Sequence, residues 1–226
     1  MKDIQSMQGK IRFKHYNRLT GQILEVRDIK NTIVTAGKDF LAQYLVNTAP
    51  TAPFMNYLQL GTNGTDLATA IAVGATSLTV NSNILGTATT GSIVLNPSTP
   101  GNTNADTETV TVSAVSGTGP YTYTTSATTY AHVAGEPIVL EALATDTKLG
   151  IALGSTATVA TQSYLNNTWT DTVTFSSSTN ENVYESGIFS ESAGSGTAVM
   201  YSHATFAPFS LTSTSNLELQ WTITYA

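Results

Sequence analysis

The 226-residue chain has no cysteine. That excludes disulfide-stapled folds and zinc sites of the cysteine type. Charge is scarce as well, with nine Lys and Arg against 15 Asp and Glu. A net charge of −6 speaks against a nucleic-acid binder, which needs basic side chains to neutralise phosphates. The Ala, Glu, Lys, Leu and Arg enrichment of helical bundles and coiled coils is missing. No stretch approaches the ~18 consecutive apolar residues of a membrane-spanning helix. The first ten residues carry no apolar core of the secretory kind, so synthesis in the cytoplasm is the expectation. What the chain does have is hydroxyl groups: forty threonines and 21 serines. With 41 % apolar residues, near the globular average, this describes a folded, soluble, mostly β protein.

The few charges are unevenly placed. Eight of the nine basic residues lie in the first 38, and only Lys148 follows. Residues 1–39 carry +4 and residues 40–226 carry −10. Two readings stand side by side. One is a solvated basic face on a first hairpin. The other is a docking surface whose positive end meets an acidic neighbour, because charge complementarity sets orientation and encounter rate. The candidate docking residues are Lys10, Arg12, Lys14 and Arg18. Basic residues are not interleaved with stacking aromatics beyond Lys14-His15-Tyr16, which leaves nucleic acid disfavoured.

Gly9–Tyr16 alternates Ile11, Phe13 and His15 against Lys10, Arg12 and Lys14, the period of a half-buried strand. Turn residues at 17–21 lead into a second extended run to Thr35. Phe40, Leu41, Tyr44 and Leu45 then form one apolar stripe on a helix over about 36–46, ended by Pro50 and Pro53. Tyr57–Leu60 is a short strand. Composition changes near residue 65. From there to 141 short strands are expected at 77–80, 92–95, 107–115, 121–125 and 137–140, the pattern of a small barrel or sandwich. The main domain resumes afterwards with runs at 164–176, 182–189, 198–206 and 216–225. In the last, Leu217, Leu219, Trp221, Ile223 and Tyr225 share one face. The expected architecture is an antiparallel β-sandwich with one short helix, formed by residues 1–64 and 142–226. It carries an inserted barrel-like β domain at 65–141. Pro208 should interrupt its strand, which makes Phe206 and Phe209 candidates for an exposed apolar contact.

Several segments resemble, in this order, a pattern common in tailed-bacteriophage structural proteins. They are Lys30-Asn31-Thr32-Ile33-Val34-Thr35-Ala36-Gly37 before the helix, Tyr57-Leu58-Gln59-Leu60-Gly61-Thr62, Trp169–Phe175, Tyr184-Glu185-Ser186-Gly187-Ile188-Phe189, Val199-Met200-Tyr201 through Phe206-Ala207-Pro208, and Leu217–Tyr225. The likeness covers roughly residues 25–62 and 143–226. The segment from Gly74 to Pro137 looks like a small β module often appended to such proteins. The resemblance implies a virion component, either capsid decoration or a tail, neck or baseplate part.

Catalytic signatures are sparse. There is no P-loop, dinucleotide fingerprint, G-x-S-x-G or H-E-x-x-H. His15, His132 and His203 are far apart in sequence, and the expectation is that none has a second ligand at i+2 to i+4. His203 with Glu185 or Glu191 would make a base and its orienting group, but no nucleophile is placed for them. Glu181, Glu185 and Glu191 offer a carboxylate pair of the glycosidase kind, with a solvated loop edge as the simpler account. Asn102, Asn104, Asp106 and Glu108 form an oxygen-rich run that falls short of the acidic density of a calcium loop. The expectation is therefore a non-enzymatic virion protein with no catalytic residue, metal or cofactor. Its first placement is a capsid decoration or cement protein bridging shell subunits, and its second a tail, neck or baseplate part. A carbohydrate-binding or adhesive module is the third. Its partners would be copies of itself, a trimer among the natural options, and the major capsid protein or tail and neck proteins, with no nucleic acid or membrane.

Overall fold

The computed structural model describes residues 7–45, 57–98, 104–153, 158–159, 161–165, 168–191 and 198–225. In chain order its elements begin with β1 (Met7–Asn17), β2 (Ile23–Ile33), α1 (Thr35–Leu45) and β3 (Tyr57–Gly61). Then come β4 (Gly64–Asp66), β5 (Ser77–Val80), β6 (Gly91–Leu95), β7 (Glu108–Ser116), β8 (Tyr121–Thr125) and β9 (Pro137–Leu140). The chain finishes with β10 (Thr158–Val159), β11 (Thr161–Leu165), β12 (Thr168–Ser176), β13 (Glu181–Phe189), β14 (Met200–Leu211) and β15 (Ser215–Tyr225). The fold is mainly β, with two curled antiparallel sheets and one short helix.

The nine-stranded sheet runs β10-β3-β13-β14-β2-β1-β15-β12-β11. Its corner is β2, which pairs with β1 over most of its length and with β14 only at Thr32 and Ile33. The sheet therefore folds over as a sandwich, and β10 comes back to touch β12. The alternation read from the sequence decides which side chains fill the space between the halves. Ile11 and Phe13 of β1, Val173 and Phe175 of β12, and Leu217, Leu219, Trp221 and Ile223 of β15 are all in the core. The run expected as one strand over 164–176 is two: β11 and β12 pair with each other, with Leu165 opposite Thr168.

Phe206 and Phe209 require a correction. Both are 1 % exposed and pack on Phe13, with ring centroids 4.6 and 5.0 Å from it, so neither is a surface contact. Pro208 does not end the strand either, and β14 continues to Leu211. The ladder with β13 slips between Val183/Phe209 and Glu185/Thr205, a bulge that accommodates a residue with no N–H to donate. In an unbroken strand residues 206 and 209 face opposite sides; the bulge turns both inward. The Arg27 guanidinium donates to the carbonyls of Ala207 (2.5 Å) and Pro208 (3.1 Å) and lies over the Phe209 ring.

Helix α1 lays Phe40 on Tyr201 of β14, ring centroids 4.8 Å apart. It can come this close because residue 37 is glycine: a Cβ there would run into the Tyr201 carbonyl oxygen. Gly37→Ala is expected to lower stability by about 2 kcal/mol, since backbone cannot yield as a side-chain tip does. Urea denaturation checks it, and an unchanged midpoint would contradict the packing described.

The six-stranded sheet, order β4-β9-β6-β7-β8-β5, is drawn from residues 64–140. It closes on itself. Leu67 bridges to Val80, the Ala68 N–H donates to the Thr79 carbonyl (2.7 Å) and the Asn81 N–H to that of Asp66 (3.1 Å). The result is a small barrel around Leu78, Val80, Ile93, Leu95, Val110, Val112, Tyr123 and Ile138.

Candidate functional site

Three places bring together charged or chemically capable side chains. The first is the outward face of the β1–β2 hairpin. Arg12 holds Asp28 through two bonds, Nε to Oδ1 at 2.8 Å and the terminal amino group to Oδ2 at 3.0 Å. Lys10 Nζ lies 2.8 Å from Asp28 Oδ2. The Arg12 bond, helped by Lys10, holds the Asp28 carboxyl at about 2 despite partial desolvation. Two of the four candidate docking cations are thus committed within the hairpin. Lys14 lies over the Tyr16 ring, 5.5 Å from its centroid, while Arg18 is exposed on the turn. The turn itself is held by Asn17, whose Oδ1 accepts from the N–H groups of Leu19 (2.9 Å) and Thr20 (3.0 Å). Beside it Leu19 is 77 % exposed, and Ile23, Leu24 and Val26 of β2 are exposed too, apolar surface absent from the sequence-based expectation.

The second place lies where the barrel joins the sandwich. His203 of β14 is flanked by two carboxylates: Asp146 Oδ2 sits 2.6 Å from Nδ1 and Glu185 Oε2 3.0 Å from Nε2. Glu185, 1 % exposed, also accepts the N–H groups of Gly150 and Ile151, both at 3.1 Å. Gly61 lets β3 pass against this carboxyl, because a Cβ there would strike Glu185. Burial alone would lower the pKa of His203, but hydrogen bonds and charge from Asp146 and Glu185 outweigh it and raise it to about 9. The ring is an imidazolium at neutral pH, and neither nitrogen has a lone pair to offer. It is a charged clamp, not a base. Of the three glutamates that might have paired, Glu185 is spent here. Glu181, four residues along the same strand, is engaged elsewhere and accepts from the Thr179 hydroxyl at 3.0 Å.

The clamp holds the segment that returns from the barrel. That segment is also tied by Thr35 N–H to Ala144 O (2.7 Å), Thr62 N–H to Ile151 O (2.8 Å) and Leu153 N–H to Leu60 O (2.8 Å). A cleft of about 430 Å³ opens alongside, reaching His203, Asp146, Lys148 and Glu141 on one side and Asn83 and Thr87 of the barrel on the other.

The third place is at one end of the barrel. His132, 2 % exposed, also sits between carboxylates: Glu136 Oε2 is 2.8 Å from Nδ1 and Glu108 Oε1 is 2.9 Å from Nε2. Burial pushes the Glu108 carboxyl up, but donors from Thr129, His132 and Tyr130 prevail and hold it below its ordinary range. Asp106 completes the group; one donor atom each from Asp106, His132 and Glu136 lie within 4.8 Å of one another. Asp106 Oδ1 accepts from Asn96 Nδ2 (2.9 Å), and Asn104 Nδ2 donates to Asn96 Oδ1 (2.8 Å). Of the oxygen-rich run read from the sequence, Asp106, Glu108 and Asn104 are here, and Asn102 lies outside the described residues. Glu136, four residues after His132, corrects the expectation that no histidine has a second ligand at i+2 to i+4.

No family model matches the chain, and neither does any curated protein or solved structure. Among the described residues no helix is long and apolar enough to cross a membrane.

Proposed function

We propose that the chain is a non-enzymatic structural component of a tailed-phage virion, in the first place a capsid decoration protein binding across shell subunits. The observation that carries the docking reading is the β1–β2 hairpin. Its turn exposes Leu19 next to Arg18, and its outward face carries Leu24 and Val26 with Lys14 and Lys30. An exposed apolar patch rimmed by cations has the composition of a protein-docking surface. The virion assignment itself rests on the resemblance of the outer segments. The acidic remainder of the chain gives the hairpin a complementary surface on a second copy, and an acidic shell protein offers the same. In this reading the chain is a homo-oligomer, a trimer in the simplest case, and its other partner is the major capsid protein. The His203 clamp suits the role: it spends its charge holding the barrel on the sandwich and leaves no base for chemistry.

The test is binding of the purified chain to particles lacking it, read by co-sedimentation. Lys14→Gln with Arg18→Gln is expected to weaken binding about ten-fold and to flatten its salt dependence. Leu19→Ser with Leu24→Ser should weaken it as much without changing the salt slope. Lys10 and Arg12, committed to Asp28, should matter less. Binding unchanged in both double variants would return the hairpin to a solvated face. Binding to tails but not capsids would move the chain to the tail, neck or baseplate.

A further inference from the structure

We propose that Asp106, His132 and Glu136 form a site for a divalent transition-metal ion of the zinc class, which clamps one end of the barrel. Donor chemistry comes first. One ring nitrogen and two carboxylates make a mixed nitrogen and oxygen set, the kind that Zn²⁺ accepts. Calcium takes six to eight oxygens and has little use for a nitrogen, so the oxygen-rich run belongs to a different kind of site than its composition suggests.

The second argument is the charge around a buried ring. Glu108 Oε1 lies 2.9 Å from Nε2, and Glu108 also accepts the N–H groups of Thr129 (2.6 Å) and Tyr130 (3.2 Å). Glu108 is thus a fixed carboxylate placed to accept from Nε2. That arrangement turns Nδ1 towards Glu136 Oε2, 2.8 Å away, and a ring carrying its proton on Nε2 presents a lone pair there. A lone pair facing an anion needs a positive centre between them, either a second proton or a metal ion. His203 meets the same demand with a proton, but there, among the described residues, no third ligand converges. At His132 Asp106 is within reach, and that is what separates the two histidines.

The outer contacts follow the pattern of a metal centre. A carboxylate behind the ligating histidine fixes its tautomer and orientation, and a ligating carboxylate is itself held by a hydrogen-bond donor. Glu108 does the first for His132. Asn96 does the second for Asp106, and is in turn held by Asn104. Two ligands on a tetrahedral ion with bonds of about 2.1 Å stand about 3.4 Å apart. Glu136, partly exposed, needs only to swing outwards by about 0.6 Å to open its present separation from Nδ1 to that value. Three protein ligands leave a fourth position for water.

The consequence is mechanical. Asp106 lies just before β7, Glu136 just before β9, and His132 in the connection between β8 and β9. An ion held by all three ties these strand ends together in a chain that has no cysteine to do so.

The experiment is calorimetric titration of Zn²⁺ into the full chain at neutral pH, with thermal unfolding followed in parallel. One Zn²⁺ should bind per chain and raise the unfolding temperature. Glu136→Gln and Asp106→Asn keep size and hydrogen bonding; each should weaken binding at least ten-fold while the metal-free protein stays folded. Glu108→Gln should cost about ten-fold through the ring it orients. Ca²⁺ should neither bind tightly nor compete. No saturable one-to-one binding would overturn the site. So would binding that survives Glu136→Gln and Asp106→Asn unchanged, or a preference for Ca²⁺ over Zn²⁺.

Discussion

Replacing His203 by alanine should destabilise the protein by about 3–5 kcal/mol, the cost of leaving a buried charge without its partner. Glu185 is the group left behind. It sits 1 % exposed at the joint between barrel and sandwich, and without the imidazolium the N–H groups of Gly150 and Ile151 are the donors left to its charge. The double variant His203→Ala with Glu185→Gln should recover part of the loss, because the amide is neutral and its one oxygen still accepts one of those two bonds. The sign of the pH effect follows from the raised value. His203 titrates near its ordinary 6.5 when unfolded and at about 9 when folded. Its contribution is complete below about pH 6.5 and fades as pH rises through 9, where the folded state loses the proton. Urea unfolding of the parent at a series of pH values should show this decline, and His203→Ala should flatten it. A parent whose stability is level from pH 6 to 10 would contradict the clamp.

Asp171→Asn should act in the opposite direction and stabilise the protein. Asp171 faces inward on β12 and is 2 % exposed; Trp169 Nε1–H donates to its Oδ1 at 2.8 Å. Burial raises its carboxyl to about 7, and the bonds from Trp169 and Gln162 only partly resist. A folded-state value above the unfolded one means that the native protein holds a proton the unfolded chain has released. Stability therefore falls as pH rises from about 4 to about 7, then stays low. A shift of about three units corresponds to a ceiling of roughly 4 kcal/mol at pH 8. Asparagine accepts the Trp169 bond without a charge to desolvate. It should recover most of that amount at pH 8 and almost none at pH 4. Equal stabilities of parent and variant at pH 8 would show that the carboxylate is well solvated. His15 pulls the other way: desolvation by burial keeps its pKa low, so its contribution is lost as pH falls through its titration range.

Alternation made much of the fold legible. The inward faces of β1 and β15 could be read residue by residue because each strand buries one side only, and a slip of one place would have put Trp221 in water. The helix, the short barrel strands and the change of composition near residue 65 rest on equally local signals. Two features did not show. The alternation that suggests one strand over 164–176 rests on Trp169, Val173 and Phe175, all in β12, and outweighs the turn-type pair Asn166-Asn167 that precedes them. At Pro208 the residue type signals a break, whereas the bulge and the Arg27 guanidinium, 181 positions away, accommodate it. Sites were the least legible part. The sequence offers His203 a partner in Glu185 or Glu191, but Asp146 comes from a loop 57 residues away, and Asp146 and Glu185 together hold the ring as a cation. Glu108 and His132 meet across 24 residues. The basic N-terminal segment was visible from composition alone. Asp28 neutralising part of it, and the apolar surface beside the rest, follow from the hairpin register.

The most direct test of the account is the position and copy number of the chain in an intact particle, imaged by electron cryomicroscopy. The proposal predicts density for it at the junctions of the capsid lattice, in copies that match that lattice, with the hairpin around Leu19 and Leu24 against the shell. Purified particles without the chain, or copies whose hairpin points away from every neighbour, would contradict it.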